Sequence, residues 1–147
     1  MIRIRDPLPG DEAVWRVLWS GYNAFYEAVV PEEVTTATWR RILDPASPVF
    51  ARLAMLDERV IGFAVCVLHP GTWSLAPLCY LEDLFVDPVR RRTGAGEAMI
   101  RDLLDLGRSC GWSGVYWHTR ADNAAARRLY DRFAAADGFV RYALALP

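Results

Sequence analysis

Residues 91–96, Arg91-Arg92-Thr93-Gly94-Ala95-Gly96, set two guanidinium groups beside two glycines. Glycines at a helix start let the backbone approach a ligand closely, and the unpaired N–H groups of the first turn form an anion site suited to pyrophosphate. Arg91 and Arg92 add charge-assisted donors for phosphate oxygens. The same hexapeptide also reads as a Gly-rich turn rimmed by solvated arginines. A Walker loop needs Gly-Lys-Ser/Thr, which the chain lacks, and a dinucleotide fingerprint would want glycine near Met99. All 17 basic residues are arginine, so Schiff-base and Walker lysine chemistry is excluded.

A second group is the acid pair Glu82-Asp83, set inside the apolar stretch from Cys79 to Val86. Adjacent carboxylates attract a cation or accept a proton; the bland reading is a solvent-facing or ion-paired strand residue. On a regular strand the two point to opposite faces, so both serve one site only where a bulge or a splay interrupts the alternation. His69 and His118 are given no catalytic role, since a lone histidine is more often satisfied structurally. Cys66, Cys79 and Cys110 have neither metal-type nor CxxC spacing and read as small core hydrophobes in a reducing compartment.

The elements that must position these groups follow from periodicity. Met1 to Asp6 alternates as a strand. Behind Pro9-Gly10-Asp11, with Asp11 as N-cap, the residues Trp15, Leu18, Trp19, Tyr22, Phe25, Tyr26 and Val29 recur at helical spacing. Thr35 or Thr36 caps a shorter second helix that Asp44-Pro45 stops. Residues 49–56 and 60–68 read as a hairpin across Asp57-Glu58-Arg59, and residues 79–87 as a strand ended by Pro88. A helix from Gly94 to about Ser109 then joins this strand to another at 115–119, a βαβ unit that implies a parallel pair. Asp122 or Asn123 caps a last helix to about Ala136, and residues 139–146 close as a strand.

Composition narrows the function classes. At 147 residues the chain is one ordinary domain, 1–147, with 24% charged residues and a formal net charge of −1. A broad basic field for nucleic acid is absent, and no apolar run reaches the roughly 18 residues of a membrane span. The cytoplasm is the expected location.

One βαβ unit after the glycine turn comes Asn123-Ala124-Ala125-Ala126-Arg127-Arg128-Leu129-Tyr130. With RxxGxG and NxxAxxLY in this order and spacing, the sequence resembles the GNAT superfamily (GCN5-related N-acetyltransferases) over essentially its whole length. The resemblance implies an α/β (α+β) single domain: a mixed, mostly antiparallel sheet with a central splayed parallel pair, flanked by helices. It implies acetyl-CoA as cosubstrate and no metal, with backbone groups near Leu84, Phe85 and Val86 meeting the pantetheine and thioester. Backbone N–H groups from Arg92 to Glu97 (Thr93, Gly94, Ala95 and Gly96 among them) would hold the pyrophosphate. Asn123 would touch the pantetheine arm and Tyr130 stand near the sulfur. Thr72-Trp73 followed by Tyr80-Leu81-Glu82-Asp83-Leu84-Phe85-Val86 looks like the spermidine/spermine and thialysine branch. By that similarity Glu82 and Asp83 attract a cationic amine, Trp73 walls the pocket and Tyr26-Glu27 lie at its mouth.

The chemistry sets the remaining demands. An alkylammonium with a pKa of roughly 10 must lose a proton before it attacks a thioester, and the departing thiolate must gain one. Glu82 is the candidate for proton removal, through water, and Tyr130 for the acid. On spacing alone Tyr130 would belong to the helix's buried stripe with Leu129 and Phe133. The loop between Trp73 and Tyr80 has no acid for the far end of a polyamine, which favours a short diamine or a basic amino-acid side chain. The expected reaction is direct transfer to the primary amine of a small cationic metabolite. The alternatives are a non-catalytic acyl-CoA-sensing module and a protein or peptide acetyltransferase. A homodimer through an exposed strand edge is a further expectation.

Overall fold

The period-two stretches of the N-terminal part become β1 (Arg3–Arg5), β2 (Val49–Leu56), β3 (Arg59–His69), β4 (Leu78–Val86) and β5 (Gly114–Tyr116). In the computed structural model, which describes residues 1–147, they form one sheet in chain order. Every pairing is antiparallel except β4 with β5. The helices are α1 (Glu12–Phe25), α2 (Glu32–Leu43), α3 (Ala95–Cys110) and α4 (Ala124–Tyr130). This is the mixed, mostly antiparallel α/β architecture expected from the sequence. By backbone contacts the chain divides into two units, Met1–Trp117 and His118–Pro147.

In the first unit the sheet separates two apolar layers. Ala51 and Leu53 of β2, Phe63 and Val65 of β3 and Phe85 of β4 meet Trp15, Leu18 and Trp19 of α1 and Trp39 and Ile42 of α2. Three indoles stack within this layer, Trp15 lying 5.2 Å from Trp19 and 5.1 Å from Trp39. Such pairs contribute about 0.5–1.5 kcal/mol each beyond the area they bury. Residues one step out of phase face α3: Arg52 of β2 grips Asp102 of α3 through two bonds of 2.7 and 3.0 Å. Met99, Ile100 and Leu103 make the apolar stripe of that helix.

Several boundaries move from their expected places. Helix α1 stops at Phe25 rather than near Val29, and Glu27 follows with a left-handed φ of 53°. The Asp11 carboxylate does not cap this helix; Arg5 holds both its oxygens at 2.8 and 3.0 Å, and the Leu8 amide adds a bond of 2.7 Å. Helix α2 begins at Glu32 behind Pro31, so Thr35 lies inside it and accepts the Trp19 indole N–H at 3.0 Å. Glu32 and Glu33 in its first turn and Arg40 and Arg41 in its last suit the helix dipole instead of a hydroxyl cap. Cys110 is exposed at the end of α3, unlike the buried Cys66 and Cys79.

The second unit contains α4, which Asn123 caps by accepting from the Ala126 amide at 3.3 Å. Residues 139–146 form no strand, so the parallel pair lies at one end of the described sheet rather than at its centre. A period of two names a face but no partner, and the ladder requires a neighbouring backbone. Phe139, Val140, Tyr142, Leu144 and Leu146 are all exposed.

Gly62 of β3 packs closely against β4 and α3. A Cβ there would stand 2.7 Å from the Phe85 carbonyl oxygen and 3.3 Å from Met99 Cε. Gly62→Ala should therefore lower unfolding stability by about 1–3 kcal/mol, the usual cost of overpacking, as measured by urea denaturation.

Candidate active site

Strand β4 carries the acid pair, and its pairing with β3 is interrupted there. Val65 is opposite Asp83 while Cys66 is opposite Leu81, so Glu82 is skipped as a bulge. The bulge changes which residues share a face. Tyr80 is opposite Val67 and Asp83 opposite Val65, two positions of one face of β3, so Tyr80 and Asp83 lie together on the side of α1. In a regular strand residues 80 and 83 would point oppositely.

The two carboxylates then meet different surroundings. Glu82 is exposed. Asp83 lies against α1, where the Tyr22 hydroxyl donates to it; that hydroxyl also lies 3.5 Å from the Glu82 carbonyl. Burial outweighs this bond and, with the charge of Glu82, pushes the Asp83 carboxyl up to about 7. Burial and the neighbouring Asp83 raise the Tyr22 phenol far above its ordinary range, so it remains a proton donor. Tyr26 continues the row, 4.9 Å from Tyr22, and Phe25 meets it edge-on at 5.0 Å.

Beside this row β4 and β5 part. Their last pair is Tyr80 with Tyr116, while β4 runs on to Val86. The edge of Leu84, Phe85 and Val86 turned away from β3 thus lies beyond the ladder with β5. The Phe85 side chain itself belongs to the apolar layer under α1. At the fork the Tyr80 and Tyr116 rings stack at 5.0 Å.

Beyond β4, Asp87 caps a short turn, and Arg92 and Gly94 take left-handed φ values of 66° and 83° before α3 begins. Gly94 is the N-cap and supplies no side chain, so the amides of Ala95, Gly96 and Glu97 open the helix without a side-chain cap. Arg91, Arg92 and Thr93 are exposed at this end. Arg91 also lies over the Phe25 ring, 6.0 Å from its centroid. The Glu97 side chain turns along the helix to Arg101 at 2.8 Å. A helix of 16 residues opening on a left-handed glycine and exposed arginines fits a pyrophosphate.

Glu27 is exposed, and Trp73 stands 95% exposed in its loop. In the second unit Tyr130 is the last residue of α4, half-buried, and the Asn123 amide donates to Thr119 Oγ1 at 3.2 Å while its oxygen caps the helix. Spacing alone placed Tyr22 only in a helical stripe and gave His69 and Tyr116 no part. Tyr22 and Tyr26 are four apart and so share one helix face, but nothing local connects α1 to residue 83.

The profile of the acetyltransferase (GNAT) family matches residues 13–135. The chain is 34% identical over 128 residues to the D-amino-acid N-acetyltransferase HPA3 of Saccharomyces cerevisiae, covering 86% of this chain and 80% of that protein. It is 27% identical to an uncharacterized N-acetyltransferase, YhfO, of Bacillus subtilis, over 99% of both. Among solved structures, a probable acetyltransferase superposes with a TM-score of 0.85 at 21% identity, over 99% of this chain and 98% of that one. An aminoglycoside acetyltransferase, AAC(6')-Iy, in complex with a bisubstrate analogue gives a TM-score of 0.81 at 21% identity over 99% of both chains.

The ionisation of Asp83 has a stability consequence whose sign is fixed. Its carboxyl is displaced upward from 3.8 to about 7, so the native state holds a proton that the unfolded chain has lost, and stability falls as pH rises from about 4 to about 7. Asp83→Asn should leave stability nearly unaltered at pH 3, below the unfolded value of 3.8, or lower it slightly. At pH 8 it should raise stability, with a ceiling of about 4 kcal/mol at roughly 1.4 kcal/mol per pH unit. Urea denaturation at both pH values checks this.

Proposed function

Because the chain belongs to the acetyltransferase (GNAT) family and is an acyl-CoA-dependent N-acetyltransferase, we propose that its acceptor is the primary amine of a small cationic molecule, deprotonated at the Glu82–Asp83 bulge. The observation that carries this reading is the bulge itself, which sets a half-buried carboxylate with a proton affinity near neutrality beside an exposed one. A cation is drawn to that pair, and a base titrating near the working pH removes its proton efficiently. The similarity of Thr72-Trp73 and of residues 80–86 to the spermidine/spermine and thialysine branch supports the same class.

The cosubstrate brings an activated acetyl thioester. Toward it, the amides from Arg92 to Glu97 and the guanidinium groups of Arg91 and Arg92 hold the phosphates. Backbone groups of Leu84, Phe85 and Val86 line the pantetheine, and Asn123 touches the pantetheine arm. Asp83 accepts the ammonium proton, directly or through water ordered by Glu82, and Tyr22 keeps its carboxylate oriented. Tyr130 gives its phenolic proton to the leaving sulfur. Trp73, Tyr26 and Glu27 border the acceptor. A second copy of the chain covers the apolar side chains that residues 139–146 leave exposed, and sedimentation should then give twice the chain mass.

The HPA3 relative, whose name specifies D-amino acids, favours a second reading in which the acceptor is the α-amine of an amino acid. Thiol release from acetyl-CoA across diamines, lysine, D-amino acids and short peptides separates the two. Tyr130→Phe should lower kcat by about 10²-fold as a lost general acid does. The wild-type kcat/KM should rise through about pH 7 as Asp83 ionises, and Asp83→Asn should lose that inflection. Turnover only with D-amino acids would replace the first reading by the second.

A further inference from the structure

His69, at the end of β3, makes two hydrogen bonds whose polarity is determined by chemistry. Its Nδ1 lies 2.9 Å from the Pro70 carbonyl oxygen and its Nε2 lies 2.6 Å from the Tyr116 hydroxyl. A carbonyl oxygen only accepts, so Nδ1 carries the hydrogen, and in the neutral ring Nε2 is then an acceptor. The Tyr116 phenol therefore donates to His69. Burial, with Cys79 and Glu82 nearby, raises the phenol above its ordinary range and so keeps that proton in place.

A phenol oxygen has one hydrogen and two lone pairs. With the hydrogen committed to His69, Tyr116 presents only acceptor character to a third group. Its location gives this a use. Tyr116 is the last residue of β5 to pair with β4, stacked on Tyr80, where the strands part and close enough to Glu82 to feel its charge.

We propose that Tyr116 is a specificity-determining residue that accepts a hydrogen bond from the incoming amine, and that His69 is the positioning residue that holds it as an acceptor. The proposal rests on the amine-acceptor reading above. An ammonium, a pure donor, is satisfied by Tyr116 together with Glu82 and Asp83. A carboxylate, a pure acceptor, finds no donor in Tyr116 and meets two like charges. The site thus favours an amine whose molecule carries no carboxylate.

The test uses acetyl-CoA with 1,5-diaminopentane and with lysine, which differ by one carboxylate. In Tyr116→Phe the KM for the diamine should rise by about tenfold or more, the loss of one hydrogen bond to a charged group. The KM for acetyl-CoA should stay within about twofold. His69→Gln, whose amide oxygen can take the phenol proton, should keep most of the wild-type preference for diamine over lysine. His69→Leu, which lets the hydroxyl turn and donate, should lose it. A diamine KM within about twofold of wild type in Tyr116→Phe, with wild-type turnover intact, overturns the inference and leaves the function standing. A parallel rise in both KM values marks a merely structural role and also overturns it. Wild-type protein that acetylates neither compound removes the amine reading and this inference with it.

Discussion

Glu82 has no partner in β3, and the arrangement of the acids follows from that one omission. Skipping a residue keeps the ladder intact on both sides while rotating everything before the bulge relative to everything after it. Tyr80 and Asp83 come onto one face, Leu81 remains buried against the α3 side, and Glu82 is left in solvent. A regular strand would have placed one of the two carboxylates in the apolar layer under α3, where an unpaired charge is costly. The bulge resolves that conflict and leaves an exposed acid next to a half-buried one.

The environment of Asp83 depends on the helix above it. Helix α1 is held to the sheet by Trp15 and Trp19, and its next turn brings Tyr22 over Phe63 and Phe85. From there the Tyr22 hydroxyl reaches Asp83 and the Glu82 carbonyl. The aromatic packing that stabilises the layer and the phenol that orients the acid are thus one continuous row, so the core and the site share residues. The same economy appears at the fork, where the Tyr80–Tyr116 stack ends the parallel ladder and His69 sets the polarity of the Tyr116 hydroxyl.

Much of this was legible in local patterns. The strands of the hairpin, the strand ended by Pro88, the helix behind Gly94 and the cap at Asn123 follow from period, turn chemistry and capping, which act between near neighbours. Less was legible where a distant group intervened. The Asp11 carboxylate reads as a helix cap until Arg5 takes both its oxygens. Thr35 reads as a cap until the Trp19 indole reaches it inside α2. Residues 139–146 have the alternation of a strand but no described ladder, because alternation does not specify a neighbour.

The sequence by itself determined the class of the protein: two motifs one βαβ unit apart, an acid pair in an apolar strand and a chain with no lysine. Those are matters of residue type and spacing along the backbone. The tertiary structure alone decided which acid is turned in against α1, that Tyr22 hydrogen-bonds it, and that His69 and Tyr116 stand at the fork. Proton affinity and hydrogen-bond polarity are properties of surroundings, and the Tyr22–Asp83 and His69–Tyr116 pairs join residues 61 and 47 positions apart in the chain, beyond the reach of any local pattern.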